Sequence, residues 1–467
     1  MIMYLDKLKE VTNIAILWYW KEGKSTLHFL LKLWILEKEI TIIDKNNVIL
    51  DNKNINIISW ENYLDNLNSY NLIFKSPGIS PYHEKISLYR EKLTSQTEIF
   101  FKNYKWKTIW ITATKGKSTV STLLYETLKN ADYNVKLVGN IGKPVFDEID
   151  LLKQEKYNYI IYELSSYMLE TCKPNCDIAV LWNIYTCHLD YHNNKFSTYE
   201  QSKLNILSNS DNVIISNDFN HYGQNIDNCK YFWLESEYNY SDDYFYKNNQ
   251  ELFSSKNLLL LWDHNKKNIS SIIGILDIIT EKYNNNSDQT FFKLISTLEN
   301  TLKLFSGLPH RMEKIAEYDN ITFIDDGIST TPESTIEAIK TFWITIDTLF
   351  LWGWDYGFTK ESYLLLIDAI IKFNINNIVL FPDTGLDIFD IERWSIEKNS
   401  KIIKRIKNTD LNLFYTHSME EAIKFSYNNT RKNNICLMSC AAPSYSLWTG
   451  YEQKWEEFKK YIEKYKS

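Results

Sequence analysis

Glycine is scarce in this chain, at 13 of 467 residues, under half the usual proportion of about 7%. Tryptophan, at 15, outnumbers it. A long apolar run is also missing: the uncharged stretches fall short of the roughly 18 residues needed to cross a bilayer, which excludes an ordinary membrane-spanning helix. Met1 to Glu10 carries charges of both signs where a signal peptide would place its apolar stretch, so a cytoplasmic protein without membrane partners is expected. Positive charge is in deficit. The net charge of -7 argues against an extended nucleic-acid surface, because duplex binding draws on many Lys and Arg contacts to phosphate. The six cysteines show no CxxC pair, so zinc and disulfide frameworks are not expected, and the thiols read as reduced and mostly buried.

What remains is the balance of a soluble globular protein, 44% hydrophobic and 24% charged, long enough for about three domains. Apolar strand-like runs alternate with helical patterns, which predicts an α/β protein with parallel sheets. In the first block Asn13 to Leu17 reads as a strand, Ser25 to Leu33 as a helix, Glu39 to Asp44 as a strand ending in an acid, and Leu72 to Phe74 as a strand closed by Ser76-Pro77-Gly78. The second block has strands at Thr108 to Thr112, Tyr159 to Tyr162 and Ile178 to Leu181, each closing on polar residues that would face one crevice. The Tyr-, Asn- and Ser-rich stretch Glu235 to Asn257 reads as a loop or surface hairpin. A third block follows Phe305, with strands at Ile321 to Ile324, Thr348 to Leu351, Asn377 to Phe381 and Ile435 to Ser439, and a charged helix from Tyr451 to Tyr465.

The strongest chemical signal is the loop Ala113-Thr114-Lys115-Gly116-Lys117-Ser118-Thr119 between a strand and a helix. Backbone N–H groups at a helix N-terminus favour phosphate, a lysine at the place of Lys117 reaches the terminal phosphates, and a hydroxyl at Ser118 can ligate Mg2+. Ala113 stands where the full pattern has a glycine. By itself the loop also fits an ordinary helix-capping turn.

Further motifs follow in order: Gly139-Asn140-Ile141-Gly142, Glu163-Leu164-Ser165-Ser166, Asn183 with His188-Leu189-Asp190, Lys203 in Tyr199-Glu200-Gln201-Ser202-Lys203, His264-Asn265-Lys266-Lys267-Asn268, Gly307-Leu308-Pro309-His310-Arg311, and Asp325-Asp326. With these the sequence resembles the Mur ligases along essentially its whole length. Ser76-Pro77-Gly78-Ile79, Glu163 to Glu170 and Ser439 to Lys454 look like the branch that adds D-glutamate.

The resemblance implies three α/β domains: a Rossmann-like UDP-sugar domain (1–101), a central P-loop ATPase (102–303) and a Rossmann-like domain on the amino-acid side (304–467). It implies a monomer that uses ATP to join D-glutamate to UDP-N-acetylmuramoyl-L-alanine through an acyl phosphate. Thr114, Lys115, Gly116, Lys117, Ser118 and Thr119 would hold ATP, with Asn268, Arg311 and Asp326. Two Mg2+ ions would be held by Ser118, Glu163, His188 and Lys203, the last resembling a lysine that the family carbamylates; Lys117, Glu163, His188 and Lys203 form the catalytic set. Lys21, Glu22, Asp44, Asn140 and His188 would meet the UDP-sugar, and Thr330, Ser444 and Tyr451 the amino acid. Another Mur-type or folylpolyglutamate-type amide ligase is one alternative, and a non-catalytic nucleotide-binding relative, if the tryptophans at glycine places are real, is the other.

Two departures stand out. Asp326-Gly327-Ile328-Ser329-Thr330-Thr331 lacks the lysine common after this strand, and Tyr356 stands near the place of a second, so no carboxylate clamp for D-glutamate is visible. Tryptophan also occupies places where the family has glycine, at Trp18, Trp20, Trp110, Trp262, Trp352 and Trp455. An indole is a poor substitute where a turn is tight or the backbone must approach a ligand. The codon UGA is read as tryptophan in some genetic codes and as glycine in others, so several of these residues are expected to be UGA-encoded glycine. Trp182 and Trp448 fit as genuine aromatics, while Trp34, Trp60 and Trp106 are left open.

Overall fold

The computed structural model describes every residue except 1, 51, 105, 142, 154–155, 174, 260–262, 284–287, 330, 343–344, 354–359, 384–387, 390–410, 443–446, 449–450 and 467. The chain forms two compact units, Met1–Phe305 and Ser306–Ser467. The first unit holds two large sheets, beside a two-stranded pairing of Asn175–Cys176 with Asn209–Ser210.

The first sheet is wholly parallel, with β1 (Ile14–Leu17), β2 (Ile40–Asp44), β3 (Asn56–Ser59), β4 (Leu72–Lys75) and β5 (Leu93–Thr94) in the order β3-β2-β1-β4-β5. β1 and β2 are buried along their whole length, as expected of strands covered on both faces. The strand order reverses beside β1, so the carboxyl ends of β1 and β4 border the crevice where such sheets take ligands. Helix α1 spans Lys21–Lys32, four residues earlier than its apolar pattern suggests. It begins directly after the β1 turn, and its Phe29 ring stacks on Phe146 with centroids 3.9 Å apart, tying it to the next block.

The second sheet has nine strands: β6 (Thr108–Thr112), β7 (Val135–Gly139), β8 (Tyr159–Glu163), β9 (Ile178–Leu181), β10 (Val213–Ser216), β11 (Cys229–Phe232), β12 (Tyr238–Ser241), β13 (Tyr244–Lys247) and β14 (Gln250–Ser254). Their order is β14-β13-β12-β11-β10-β9-β6-β8-β7. Glu235 to Asn257 is therefore hairpin and not loop, and it extends the sheet by three strands, the last two antiparallel to their neighbours. Its polar composition hid a buried aromatic set, Tyr238, Phe245 and Phe253, which shares one core cluster with helix residues such as Ile272 and Ile275. β6 lies between β9 and β8, so the loop that follows it opens between them.

The second unit carries one six-stranded sheet, β15 (Glu313–Tyr318), β16 (Ile321–Asp325), β17 (Ile346–Gly353), β18 (Asn377–Asp383), β19 (Asn412–Tyr415) and β20 (Asn434–Ala441), ordered β15-β16-β20-β17-β18-β19. Only β15 runs antiparallel to its neighbour among these pairs. The charged helix Tyr451–Tyr465 forms as expected, burying Phe458 and Ile462. All six cysteines are free, four of them buried.

Candidate active site

The loop after β6 leads into helix α2 (Lys117–Asn130). Gly116 caps it with φ +89°, and a Cβ there would stand 2.8 Å from Asn268 Oδ1. The position thus requires glycine twice over, for its dihedral and for its clearance. Asn183, at the end of β9, accepts from the amides of Thr114 (2.8 Å) and Lys115 (2.9 Å) through Oδ1, holding the loop open. The Lys117 ammonium donates to the carbonyls of Ala113 (2.8 Å) and Thr114 (3.2 Å). Ser118 is buried in the first turn of α2.

Around this loop the fold gathers several of the predicted residues. Glu163 ends β8, whose register sets it beside Ile111 of β6. It is fully buried; Oε1 accepts from Asn140 Nδ2 at 2.9 Å, while Oε2 is buried with no hydrogen-bond partner. Lys203, on the helix Phe196–Leu204, is also buried, and its Nζ donates to Ala113 O (2.7 Å) and Thr112 Oγ1 (3.3 Å). Burial, and then the charge of Lys117, holds its ammonium well below the usual lysine range. His188 has φ +54°. Burial, followed by the charges of Lys117 and Lys203, lowers its imidazole to about 4, leaving it neutral near pH 7. Asn268 bonds Asn265 through Nδ2, and its Oδ1 at Gly116 is buried without a partner.

Apart from Asn140, which joins this group through Glu163, the remaining predicted residues lie elsewhere. Asp44 ends β2 and accepts from the amides of Tyr19 (2.8 Å) and Asn46 (2.9 Å). It lines a cleft of about 460 Å3 with Trp18, Trp20, Lys24 and Val48. Lys21 is exposed in the first turn of α1. Burial pushes the neighbouring Glu22 carboxyl up to about 7 against the pull of Lys75. Asn140 is bonded to Glu163, on the second sheet. In the second unit, Asp326 accepts from Ser329 Oγ (2.5 Å) and Ser439 Oγ (2.8 Å), and the Arg311 amide closes a turn on Leu308 O. Thr330, Ser444 and the Tyr451 side chain lie outside the described residues, as do Trp262 and Tyr356.

Sequence reasoning passed over a group that joins the two sheets of the first unit. Lys75, fully buried at the end of β4, donates to Ile79 O (2.8 Å) and Tyr191 Oη (3.0 Å). Ser80 Oγ donates to Tyr191 O at 2.6 Å, and Tyr82 Oη donates to Glu170. Glu170 in turn meets His192 Nδ1 at 3.1 Å, whose Nε2 meets Ser166 Oγ at 3.1 Å. A lysine directly before Ser76-Pro77-Gly78, in an otherwise apolar strand, was the available signal. Lys454 was likewise missed: buried on the last helix, it donates to Gly327 O at 2.7 Å.

Residues 111–281 match the Mur ligase middle domain. The chain is 26% identical over 434 residues to the UDP-N-acetylmuramoylalanine--D-glutamate ligase of Clostridium tetani, covering 90% of this chain and 88% of that one. To the ligase of the same name from Clostridium botulinum (strain Kyoto / Type A2) it is 27% identical over 472 residues, with 96% of each covered. Among solved structures, the fold is similar to UDP-N-acetylmuramate-alanine ligase MurC from Thermotoga maritima, with TM-score 0.57 at 16% identity and coverage of 97% and 99%. It is also similar to the MurF ligase of Thermotoga maritima in complex with ADP, with TM-score 0.54 at 16% identity and coverage of 98% and 96%. A glycine-capped loop on an inner strand, flanked by a buried carboxylate and a buried lysine, agrees with these matches: residues 111–281 carry the Mur ligase middle domain, and the chain is similar to Mur ligases over at least nine-tenths of its length.

Proposed function

We propose that this chain joins D-glutamate to UDP-N-acetylmuramoyl-L-alanine while converting ATP to ADP and phosphate, a cytoplasmic step in making peptidoglycan precursors, and that it acts as a monomer. The acceptor and the amino acid rest on similarity to ligases of that name over nine-tenths of the chain. The observation that carries the ATP-dependent chemistry is Glu163, whose buried Oε2 has no protein partner one strand from the phosphate loop. Burying such an oxygen unpaired is costly unless a ligand or ion completes it.

The loop amides and Lys117 hold the triphosphate, Lys117 exchanging its two carbonyl partners for phosphate oxygens. The acceptor carboxylate attacks the γ-phosphorus as the bond to the bridging β–γ oxygen breaks, and ADP leaves. The amine of D-glutamate then attacks the acyl carbon; phosphate departs and the amine sheds its proton. Ser118, Glu163 and the neutral His188 suit Mg2+, which would neutralise crowded phosphate oxygens. Lys203 suits carbamylation, because it is buried and donates to a carbonyl and a hydroxyl rather than to a carboxylate: its neutral amine would add to carbon dioxide, lose a proton and become a carboxylate able to join that set, with a second ion.

In this reading the domains are 1–101, 102–303 and 304–467. Lys21, Glu22, Asp44 and Asn140 serve the UDP-sugar, Asn268, Arg311 and Asp326 the nucleotide, and Thr330, Ser444 and Tyr451 the amino acid. The test is phosphate release by the purified chain with ATP, Mg2+ and UDP-N-acetylmuramoyl-L-alanine, across a panel of amino acids. Release dependent on D-glutamate is expected. Release with a different amino acid would replace the substrate, and none with any of them, while other acceptors work, would overturn the acceptor.

A further inference from the structure

Positive φ is a sterically expensive conformation for a side chain with a Cβ, tolerated mainly by Asn, Asp and His and an outlier for bulky residues. Asn, Asp and His hold most of the non-glycine positive-φ positions among the described residues. Four of the others are tryptophan: Trp18 (φ +73°), Trp34 (+64°), Trp60 (+77°) and Trp233 (+82°). No tyrosine or phenylalanine is among them, although the chain has 32 Tyr and 23 Phe against 15 Trp. The preference therefore follows neither aromatic character nor bulk.

The settings are those that glycine serves. Leu33 ends helix α1, and the next two amides reach back in the pattern of a Schellman cap: Trp34 N donates to Leu31 O (3.0 Å) and Ile35 N to Leu30 O (3.3 Å). The residue between the cap and the buried Ile35 takes a left-handed conformation, most often as glycine. Here it is Trp34, with its indole 90% exposed, so no packing offsets the dihedral. Trp18, Trp60 and Trp233 each follow the last residue of a strand, β1, β3 and β11 in turn. Trp60 is 62% exposed.

We infer that positions 18, 34, 60 and 233 carry glycine in the protein the cell makes, their codons being UGA read as glycine. The backbone thus draws a different line through the tryptophans than the motif comparison does. Trp34 and Trp60 join the set, and Trp233 enters it. Trp110 and Trp352, buried within β6 and β17, have no positive φ and are not assigned by this criterion. Trp182 and Trp448, both buried, stay aromatic.

At position 18 the change also alters a cleft. The Trp18 ring lies against Gly78, where an added Cβ would collide with it, and the indole lines the space beside Trp20, Lys24 and Asp44. Glycine there opens the space between the β1 turn and Ser76-Pro77-Gly78. That this space takes the UDP-sugar rests on the proposed function; the identity of the four residues does not.

Tandem mass spectrometry of peptides from the protein isolated from its own cells decides the residues. Each of the four peptides is expected to be lighter by an indolylmethylene group, and tryptophan at these positions overturns the inference. As a second readout, the recombinant chain as written is compared in thermal unfolding with Trp18→Gly/Trp34→Gly/Trp60→Gly/Trp233→Gly. The glycine form is expected to melt higher, and a lower melting point counts against the inference. Calorimetry with UDP-N-acetylmuramoyl-L-alanine should show tighter binding by Trp18→Gly than by the chain as written. Glycine masses together with no binding by either form would leave the residue assignment standing and remove the ligand reading.

Discussion

Replacing Trp34 alone isolates the backbone effect, because this indole is 90% exposed at a helix end. Holding a Cβ in the left-handed region costs about 1–2 kcal/mol. Glycine returns about 0.5–1 kcal/mol of that through the greater freedom of its unfolded chain. Little apolar burial is lost, so Trp34→Gly should stabilise the first unit by about 0.5–1 kcal/mol. For a unit of this size that is a rise of roughly 1–2 °C in melting temperature. Trp34→Ala is the control. It removes the same indole but keeps the Cβ, so it should gain close to nothing. Urea unfolding followed by far-ultraviolet circular dichroism measures both, with an unchanged slope showing that only stability moved. If alanine stabilises as much as glycine, the exposed indole and not the dihedral is the burden, and the Schellman argument fails.

Other outcomes follow from the site and its supports. Lys117→Ala should lower phosphate release by about 10^2-fold or more, as for other lost charge-stabilising groups, with an unaltered circular dichroism spectrum; near-normal release would remove it from the phosphate cradle. Glu163→Gln keeps the shape and the reach of Asn140 but removes the charge, so release should fall by a similar factor, and full activity would deny the carboxylate its role. Lys203→Arg retains a cation but cannot form a carbamate on a neutral amine, so it should be as inactive as Lys203→Ala; activity in the arginine form would refute carbamylation. Asp277 tests pH dependence. Burial raises its carboxyl, but bonds from Lys247 and Tyr238 and the charges of Lys230 and Lys247 outweigh this and leave it below its ordinary value of 3.8. A depressed carboxylate contributes stability that is present above the unfolded value and lost as pH falls through the folded one. Asp277→Asn should therefore cost about 1–3 kcal/mol at pH 7, with the gap to the parent closing below pH 3.8; a constant gap would contradict the linkage.

The strand, loop and helix from Thr108 to Asn130 were legible because a strand, a glycine turn and a helix-bound Lys-Ser pair are contiguous in sequence. Glu163 and Lys203 were legible only through the motif pattern: nothing local in Tyr199 to Lys203 distinguishes a buried lysine from a solvated one, and burial is settled by contact with Ala113 far away in the chain. The same limit explains Lys75 and Tyr191, 116 residues apart. The strands within Glu235 to Asn257 were obscured by polar outer faces, their inward residues being as few as Tyr238, Phe245 and Phe253. Trp34 and Trp233 show a further gap: a dihedral requirement leaves no trace in the sequence when the residue written there is not the one that satisfies it.

The bonds from Lys75, Ser80 and Tyr82 to Tyr191 and Glu170 act as a seam between the two sheets of the first unit. Cutting the chain near residue 101 would strip Tyr191 and Glu170 of partners supplied by the first sheet, and His192 would keep its carboxylate but lose the tyrosine that steadies it. An excised ATP-binding segment would thus be more than a shortened enzyme: the stretch from His188 to His192 would lose its anchor. Amide exchange along that stretch should slow when a molecule settles on the Ser76-Pro77-Gly78 turn, so that an event at the first sheet would be felt beside the loop after β6.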